Sequence, residues 1–104
     1  MMRKIKYENS FKKDFKRIKK RGYKTEKIKA VINMLVNDIE LPVEYRDHAL
    51  TGKYKSRGIR ECHIEPDWLL MYIKDNDELL LILVGTGTHS VSYTHLTLPT
   101  SDLV

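Results

Sequence analysis

The pattern of apolar and polar residues changes from strand-like to helix-like within the first twenty positions. Lys4–Glu8 alternates polar and apolar side chains, which is typical of a short half-buried strand. Phe11, Phe15 and Ile18 then stand at positions i, i+4 and i+7, so they form one apolar stripe. This spacing predicts an amphipathic helix, and Gly22 is its predicted C-terminal stop.

A second helix is predicted from Thr25, which can cap its N-terminus. Leu41-Pro42 would end this helix, because the residue before a proline disfavours helical geometry. A polar loop follows over Glu44–Leu50. The apolar positions with helical spacing are Ile28, Val31, Ile32, Leu35, Val36 and Ile39.

Three strands are predicted in the second half of the chain. Ile59–Glu65 alternates, Trp68–Ile73 is almost continuously apolar, and Leu79–Val84 follows a polar turn at 75–78. The predicted element order is therefore β-α-α-β-β-β. Short turns between the last strands predict an antiparallel sheet with two helices packed on one face, which is an α+β domain.

Composition limits the class of protein. The chain has 104 residues, a length that suits one globular domain. Its formal net charge of +5 suggests an acidic or polyanionic partner. The longest apolar run, Leu79–Val84, is too short to cross a bilayer, and the N-terminus lacks the apolar stretch of a signal peptide. Because Cys62 is the only cysteine, an internal disulfide or a cysteine-rich zinc cluster is excluded. We expect a cytoplasmic protein with no membrane association.

The last fourteen residues differ from the rest of the chain. Val91–Val104 contains none of the 19 lysines and arginines. The codons GTC TCT TAT ACA CAT CTG ACG CTG CCG ACG encode 91–100 and match a transposase-based sequencing adapter, with a short barcode, GTG and a stop codon after them. We interpret 91–104 as adapter read-through and expect the native domain to span residues 1–90. The alternative is a genuine C-terminal strand.

Candidate chemistry is confined to a few polar residues around the sheet, since no phosphate-binding loop, dinucleotide fingerprint or zinc-protease motif is present. The candidates are His48, His63, Asp67, Trp68 and His89. Each has a structural alternative: a surface histidine, a turn aspartate or a tryptophan at the edge of the core. Cys62 is interpreted as a small buried residue.

Strand alternation limits which of these residues can meet. Arg60, Cys62 and Ile64 are predicted on one face of their strand, whereas Glu61 and His63 point to the other. Without further information, these patterns describe a small basic α+β domain for which RNA binding is one option.

Three segments carry a resemblance to a known family. Glu44–Leu50, Arg60–Tyr72 with its His-Ile-Glu-Pro-Asp-Trp block, and the Thr-Gly-Thr-His-Ser ending at 86–90 resemble the YafQ branch of the RelE/ParE toxin superfamily. The resemblance implies the β-α-α-β-β-β toxin fold and an endoribonuclease of a type II toxin–antitoxin pair. It implies a cognate antitoxin, ribosome and mRNA as partners, and no cofactor or metal.

The family's functional positions fall on His48, His63, Asp67 and His89. Such a set can cleave RNA by removing a proton from a ribose 2′-hydroxyl and protonating the leaving 5′-oxygen. Histidine suits either task, because its reference pKa is about 6.5. We expect His89 to be the general acid, and His48, His63 or Asp67 to be the base. Asp67 is alternatively the residue that fixes a histidine tautomer, and Trp68 shapes the pocket or stacks on a base.

Two departures from the family pattern give rise to a second hypothesis. Gly85 occupies the position where relatives usually carry an arginine that stabilises charge on phosphorus. The substituting cation would be Arg57, Arg60 or Lys55. The short segment that ends in an aromatic after His89 in relatives is also absent here. The alternative is therefore a catalytically impaired protein that binds antitoxin or ribosome without cleaving; a gyrase poison of the ParE type ranks last because that branch generally lacks this histidine set.

Overall fold

A computed structural model describes residues 2–88, without the side chains of residues 53–55. Its helices are α1 (Asn9–Lys20) and α2 (Thr25–Val36), and two short 3₁₀ helices lie at Val43–Tyr45 and Gly52–Arg57. Its strands are β1 (Lys4–Tyr7), β2 (His48–Ala49), β3 (Arg60–Glu65), β4 (Trp68–Asp75) and β5 (Leu80–Thr88). His89 and the tail 91–104 lie outside the described residues.

The strands form one five-stranded sheet in the order β1-β5-β4-β3-β2. Strands β2 to β5 are antiparallel to their neighbours, as predicted, but β1 pairs parallel with β5. The sheet is therefore mixed and not wholly antiparallel. Periodicity could not reveal the direction of β1, because its partner is at the other end of the domain and the connection includes both helices.

Both helices pack on one face of this sheet and form the core with it, so the predicted α+β layering is confirmed. Cys62 is completely buried there, as expected. Its burial raises the pKa of the thiol to about 12. The buried core residues are Phe11, Ile18, Ile28, Val31, Leu35, Val36, Leu41, Cys62, Trp68, Leu70, Tyr72, Leu81 and Leu83.

Helix α2 ends at Val36, three residues before the predicted Ile39. Asp38 adopts a left-handed backbone with φ of 57°, which stops the helix. The Arg3 side chain, only 8% exposed, donates to Asp38 Oδ1 over 2.8 Å. This hydrogen bond is the main cause of the lowered pKa of Asp38. The helix end is thus fixed by a residue 35 positions earlier, which local periodicity cannot predict.

Beyond the end of β1, residues of helix α1 form hydrogen bonds to the next part of β5. Ser10 Oγ donates to the Val84 carbonyl over 2.5 Å, and the Thr86 amide donates to Asp14 Oδ2 over 3.2 Å. The residue between them is Gly85. A side chain there would start 3.0 Å from Asp14 Oδ2 and 3.1 Å from Met71 Cε, so the glycine permits this close approach.

Candidate functional site

The two-residue strand β2 places one candidate histidine beside a buried carboxylate. His48 lies opposite Glu61 in the β2–β3 pairing. His48 Nε2 is 3.4 Å from Glu61 Oε1, and the Glu61 side chain is 0% exposed whereas that of His48 is 47% exposed. The pair therefore joins a half-exposed imidazole to a completely buried carboxylate.

The structure brings His48 of β2 near His63 of β3. Their ring centroids are 6.5 Å apart and the rings are inclined by 32°. Glu61 and His63 belong to the same face of β3, since two residues separate successive side chains on one face. Two imidazoles and one carboxylate thus form a cluster, called here the histidine cluster: His48, Glu61 and His63.

Backbone carbonyl groups orient both rings of the histidine cluster. His48 Nδ1 is 2.7 Å from the Arg46 carbonyl oxygen, and His63 Nδ1 is 3.1 Å from that of Pro66. A carbonyl oxygen only accepts, so each Nδ1 carries the proton and donates. In the neutral form of each ring, Nε2 is therefore the nitrogen without a proton.

Asp67 is exposed in the turn between β3 and β4, next to Pro66. Because the carbonyl groups of Arg46 and Pro66 already fix both Nδ1 atoms, neither ring needs the Asp67 carboxylate for its tautomer. Thr88, the last described residue, pairs with Trp68 at this same end of the sheet. The expected acid His89 follows Thr88 and lies outside the described residues.

Trp68 cannot stack on a nucleobase in this structure. Its side chain is 0% exposed and is part of the core. The indole Nε1 donates to Thr86 Oγ1 over 3.0 Å, and the ring lies edge-on to Tyr23 at 5.0 Å. The alternative interpretation, a residue of the core, is the correct one, and direct base stacking was a wrong expectation.

Two of the predicted substrate-binding cations, Arg57 and Arg60, pair with different carboxylates. Arg60 lies on the helix face of β3, where its Nε is 3.3 Å from Asp47 Oδ1, and it points away from the histidine cluster. A direct substrate contact by Arg60 stays a prediction. Arg57 instead bonds Glu8 Oε2 through Nη2 over 2.6 Å. The side chain of Lys55 is outside the description.

Sequence reasoning missed Glu61 as a member of the site. A glutamate within an alternating strand is normally a solvated residue, so pattern alone gives it no significance. The useful signal was its two-residue spacing from His63, which predicts a shared face. Glu61 is completely buried and pairs with His48 of β2 on one side and Met71 of β4 on the other, which pattern alone does not predict.

The described residues were also searched for metal-binding groups and membrane spans. Within residues 2–88, no three histidine, cysteine or carboxylate side chains are arranged to hold a metal ion. Neither helix of this part of the chain has the length and apolar character needed to cross a bilayer.

Comparison with known proteins defines the class to which this fold and cluster belong. Residues 3–92 match the family described as bacterial toxin of type II toxin–antitoxin system, YafQ. The chain is thus a member of a toxin family with two helices on a mixed sheet. Specifically, it belongs to the YafQ family.

Individual relatives agree with this assignment. The mRNA interferase toxin YafQ of Escherichia coli K12 is 39% identical over 94 residues, which cover 89% of this chain and 98% of the relative. The YafQ chain of the E. coli DinJ-YafQ toxin-antitoxin complex has a TM-score of 0.76 at 38% identity, covering 86% of this chain and 96% of that one. A metal-bound toxin from Helicobacter pylori gives 0.79 at 37% identity, with 86% and 97% covered.

Proposed function

We propose that this protein is a toxin endoribonuclease that cleaves mRNA on the ribosome and is neutralised by a cognate antitoxin. Membership of the YafQ family and the names of its relatives, an mRNA interferase and the toxin of a DinJ-YafQ complex, support the activity and the partner. The observation that carries the mechanism is the paired arrangement of His48 and His63, both with Nδ1 donating to a carbonyl group.

In the proposed reaction, one Nε2 accepts the proton of a ribose 2′-hydroxyl. The 2′-oxygen then bonds to the adjacent phosphorus, and the bond from phosphorus to the 5′-oxygen breaks. A general acid, proposed to be His89, gives that oxygen a proton. The products are a 2′,3′-cyclic phosphate and a 5′-hydroxyl, and the step needs no metal or other cofactor.

His63 is the proposed base, because its ring belongs to the histidine cluster and its Nε2 is opposite the nitrogen held by Pro66. His48 has a different neighbour: a proton on its Nε2 would be donated to Glu61 Oε1, 3.4 Å away. Held in this way, His48 can present positive charge to the phosphate at the transition state. Asp67 remains a second candidate for the base.

The decisive experiment measures cleavage of mRNA on translating ribosomes by the chain ending at Ser90. The 2′,3′-cyclic phosphate should appear, and a 2′-deoxy nucleotide at the cut should abolish the reaction. His89→Ala should lose cleavage if His89 is the acid. Equal cleavage of the deoxy substrate would contradict attack by the 2′-oxygen.

A second candidate function, binding without cleavage, is favoured by one specific observation, Gly85. An arginine at this position would begin against the Asp14 carboxylate, which already pairs with Arg17, and would have to displace Asp14 and the Met71 methyl by a few tenths of an ångström. If cleavage is lost because this arginine is missing, Gly85→Arg should increase toxicity strongly. Gly85→Ala is the matched control, because it adds the same Cβ without the guanidinium.

A further inference from the structure

The cations around the histidine cluster differ in whether a carboxylate neutralises them. Arg57 Nη2 is 2.6 Å from Glu8 Oε2, and Arg60 Nε is 3.3 Å from Asp47 Oδ1. Arg46 is exposed, and within the described residues its guanidinium group pairs with no carboxylate. Arg46 is therefore a cation in this region whose charge is available to an anion.

The backbone of Arg46 is joined to the first ring of the histidine cluster. Its carbonyl oxygen is 2.7 Å from His48 Nδ1, which donates to it. The Arg46 amide donates to the Val43 carbonyl oxygen over 3.0 Å and closes the 3₁₀ turn that precedes β2. The residue before it, Tyr45, packs against the core. The arginine side chain thus starts from a fixed point two residues before His48.

Arg46 also lies beside the second ring of the cluster. Arg46 and His63 line the same cavity, together with Pro66, whose carbonyl oxygen accepts from His63 Nδ1. Glu65 lines this cavity too, but its carboxylate is paired with Lys27, whose Nζ is 2.5 Å from Oε2. The guanidinium group of Arg46 is therefore next to both imidazoles without being neutralised there.

A guanidinium group at this point has the chemistry of a phosphate ligand. It is planar, stays charged at physiological pH and can donate two parallel hydrogen bonds to one phosphate. Neither imidazole can do so, because each Nδ1 proton is already donated to a carbonyl oxygen and only Nε2 remains. When the 2′-oxygen bonds to phosphorus, negative charge grows on the phosphate oxygens, and a fixed cation beside them lowers the barrier.

We propose that Arg46 binds the scissile phosphate and stabilises the negative charge that develops on it. This assignment rests on the proposed RNA cleavage. It differs from the candidates that the sequence supplied for this task, which are Arg57, Arg60 and Lys55. A cation at position 46 also means that Gly85 does not leave the phosphate without a positively charged partner.

Binding of an uncleavable RNA tests the contact without requiring activity. The probe is a six-residue 2′-O-methyl RNA, titrated into the full chain at several salt concentrations. Arg46→Gln should lose about one unit from the slope of log binding constant against log salt concentration, the size expected for one phosphate contact. A slope equal to that of the wild type would overturn the proposal.

Arg21→Gln is the matched control for this measurement. It removes the same charge from an exposed residue at the end of α1, and α1 packs on the face of the sheet opposite to the histidine cluster. The control variant should therefore keep the wild-type slope. An equal loss in Arg21→Gln and Arg46→Gln would assign the effect to net charge and contradict a specific contact.

Single-turnover cleavage of ribosome-bound mRNA separates the charge of Arg46 from its backbone. Arg46→Gln and Arg46→Gly should both slow cleavage by about 10²-fold, because each removes the guanidinium group. The left-handed backbone of Arg46, with φ of 50°, costs glycine nothing, so the glycine variant keeps the carbonyl in place. A wild-type rate in Arg46→Gly would contradict the proposal.

Arg46→Lys should recover part of the cleavage rate and keep the salt slope, since lysine retains the charge but not the planar group. A lysine variant that is as slow as Arg46→Gln and has also lost the slope would show that charge is not the cause. The ring ¹⁵N signals of His48 should report the Nδ1–H tautomer in every variant. A change to the Nε2–H tautomer in Arg46→Gln would mean that Arg46 acts through the ring, and would overturn the direct contact.

The assignment of Arg46 and the proposed function fail in different ways. If the wild type does not cleave mRNA while Arg46→Gln still loses one unit of slope, RNA cleavage is contradicted and the phosphate contact stands. If the wild type cleaves and the Arg46 variants match it in rate and in slope, only the assignment of Arg46 is contradicted.

Discussion

The two faces of strand β3 carry polar clusters of similar composition but different accessibility. On the helix face, Arg60 and Tyr72 both bond to Asp47 Oδ1, over 3.3 and 2.5 Å. On the other face, His48 and His63 turn their Nδ1 atoms to backbone carbonyls. The first cluster joins side chains to one another and stabilises the fold. The second holds its rings by the backbone, and both rings are partly exposed to solvent.

The largest expected effect is a loss of catalysis, caused by a substitution in the histidine cluster. His63→Ala should lower the rate of mRNA cleavage by about 10²–10⁴-fold, the usual contribution of a general acid or base. Thermal unfolding should change little, because the ring is partly exposed and its bond to Pro66 is local. His63→Gln, which keeps a polar side chain but not a titrating one, should be equally slow. A nearly wild-type rate in either variant would assign the base to another residue, Asp67 first.

The helix-face cluster should give the opposite result. Asp47→Ala removes the acceptor shared by Tyr72 and Arg60, and leaving such groups without it costs about 1–3 kcal/mol of unfolding free energy. Chemical denaturation measures this loss. Cleavage by the folded fraction should be unchanged, because the cluster points away from the histidines. Tyr72→Phe is the milder control, since it removes one hydrogen bond and keeps the ring.

The two faces of β3 also show which structural features could be predicted from the sequence. Period-two alternation is enough to separate Arg60 and Cys62 from Glu61 and His63, and that prediction is confirmed. The helices and the long strands followed from apolar spacing in the same way. Both are local properties, because they depend on neighbours within a few residues.

What could not be predicted depends on distant pairing. The strand β2 has two residues, too few for a pattern, yet its pairing brings His48 to Glu61 and makes the site. The parallel direction of β1 and the burial of Trp68 likewise depend on contacts far apart in the chain. The histidines were candidates as polar residues around the predicted sheet, and the family resemblance gave them roles, whereas Glu61 needed the structure.

Alkaline pH should lower the free energy of unfolding through a buried group on the helix face of the sheet. Burial raises the pKa of the Cys62 thiol from 9.0 to about 12, so the folded state keeps the proton that the unfolded state releases. The thiol's contribution is therefore complete below pH 9 and is lost as the pH rises towards 12, by on the order of 1 kcal/mol per pH unit.

Denaturation between pH 8 and 11 measures this slope. Cys62→Ala should be less stable at neutral pH because of the cavity, but its stability should fall less steeply with pH. Burial also raises the pKa of Tyr72, so part of the slope should remain in the variant. A slope unchanged by Cys62→Ala would mean that the thiol does not ionise differently in the two states.

The smallest effect on stability is expected from the exposed ion pair between Arg57 and Glu8, which contrasts with the partly buried Asp47 cluster. Half of the Arg57 side chain is exposed, so Arg57→Met should change the unfolding free energy by less than about 1 kcal/mol. The effect of Arg57→Met on RNA binding should be independent of this change in stability. If Arg57 contacts a phosphate in place of the arginine that relatives carry at position 85, the variant should lose about one unit from the slope of log binding constant against log salt concentration. Glu8→Gln breaks the same pair but keeps the guanidinium, so the slope should be retained; equal slopes in all three proteins would exclude a phosphate contact by Arg57.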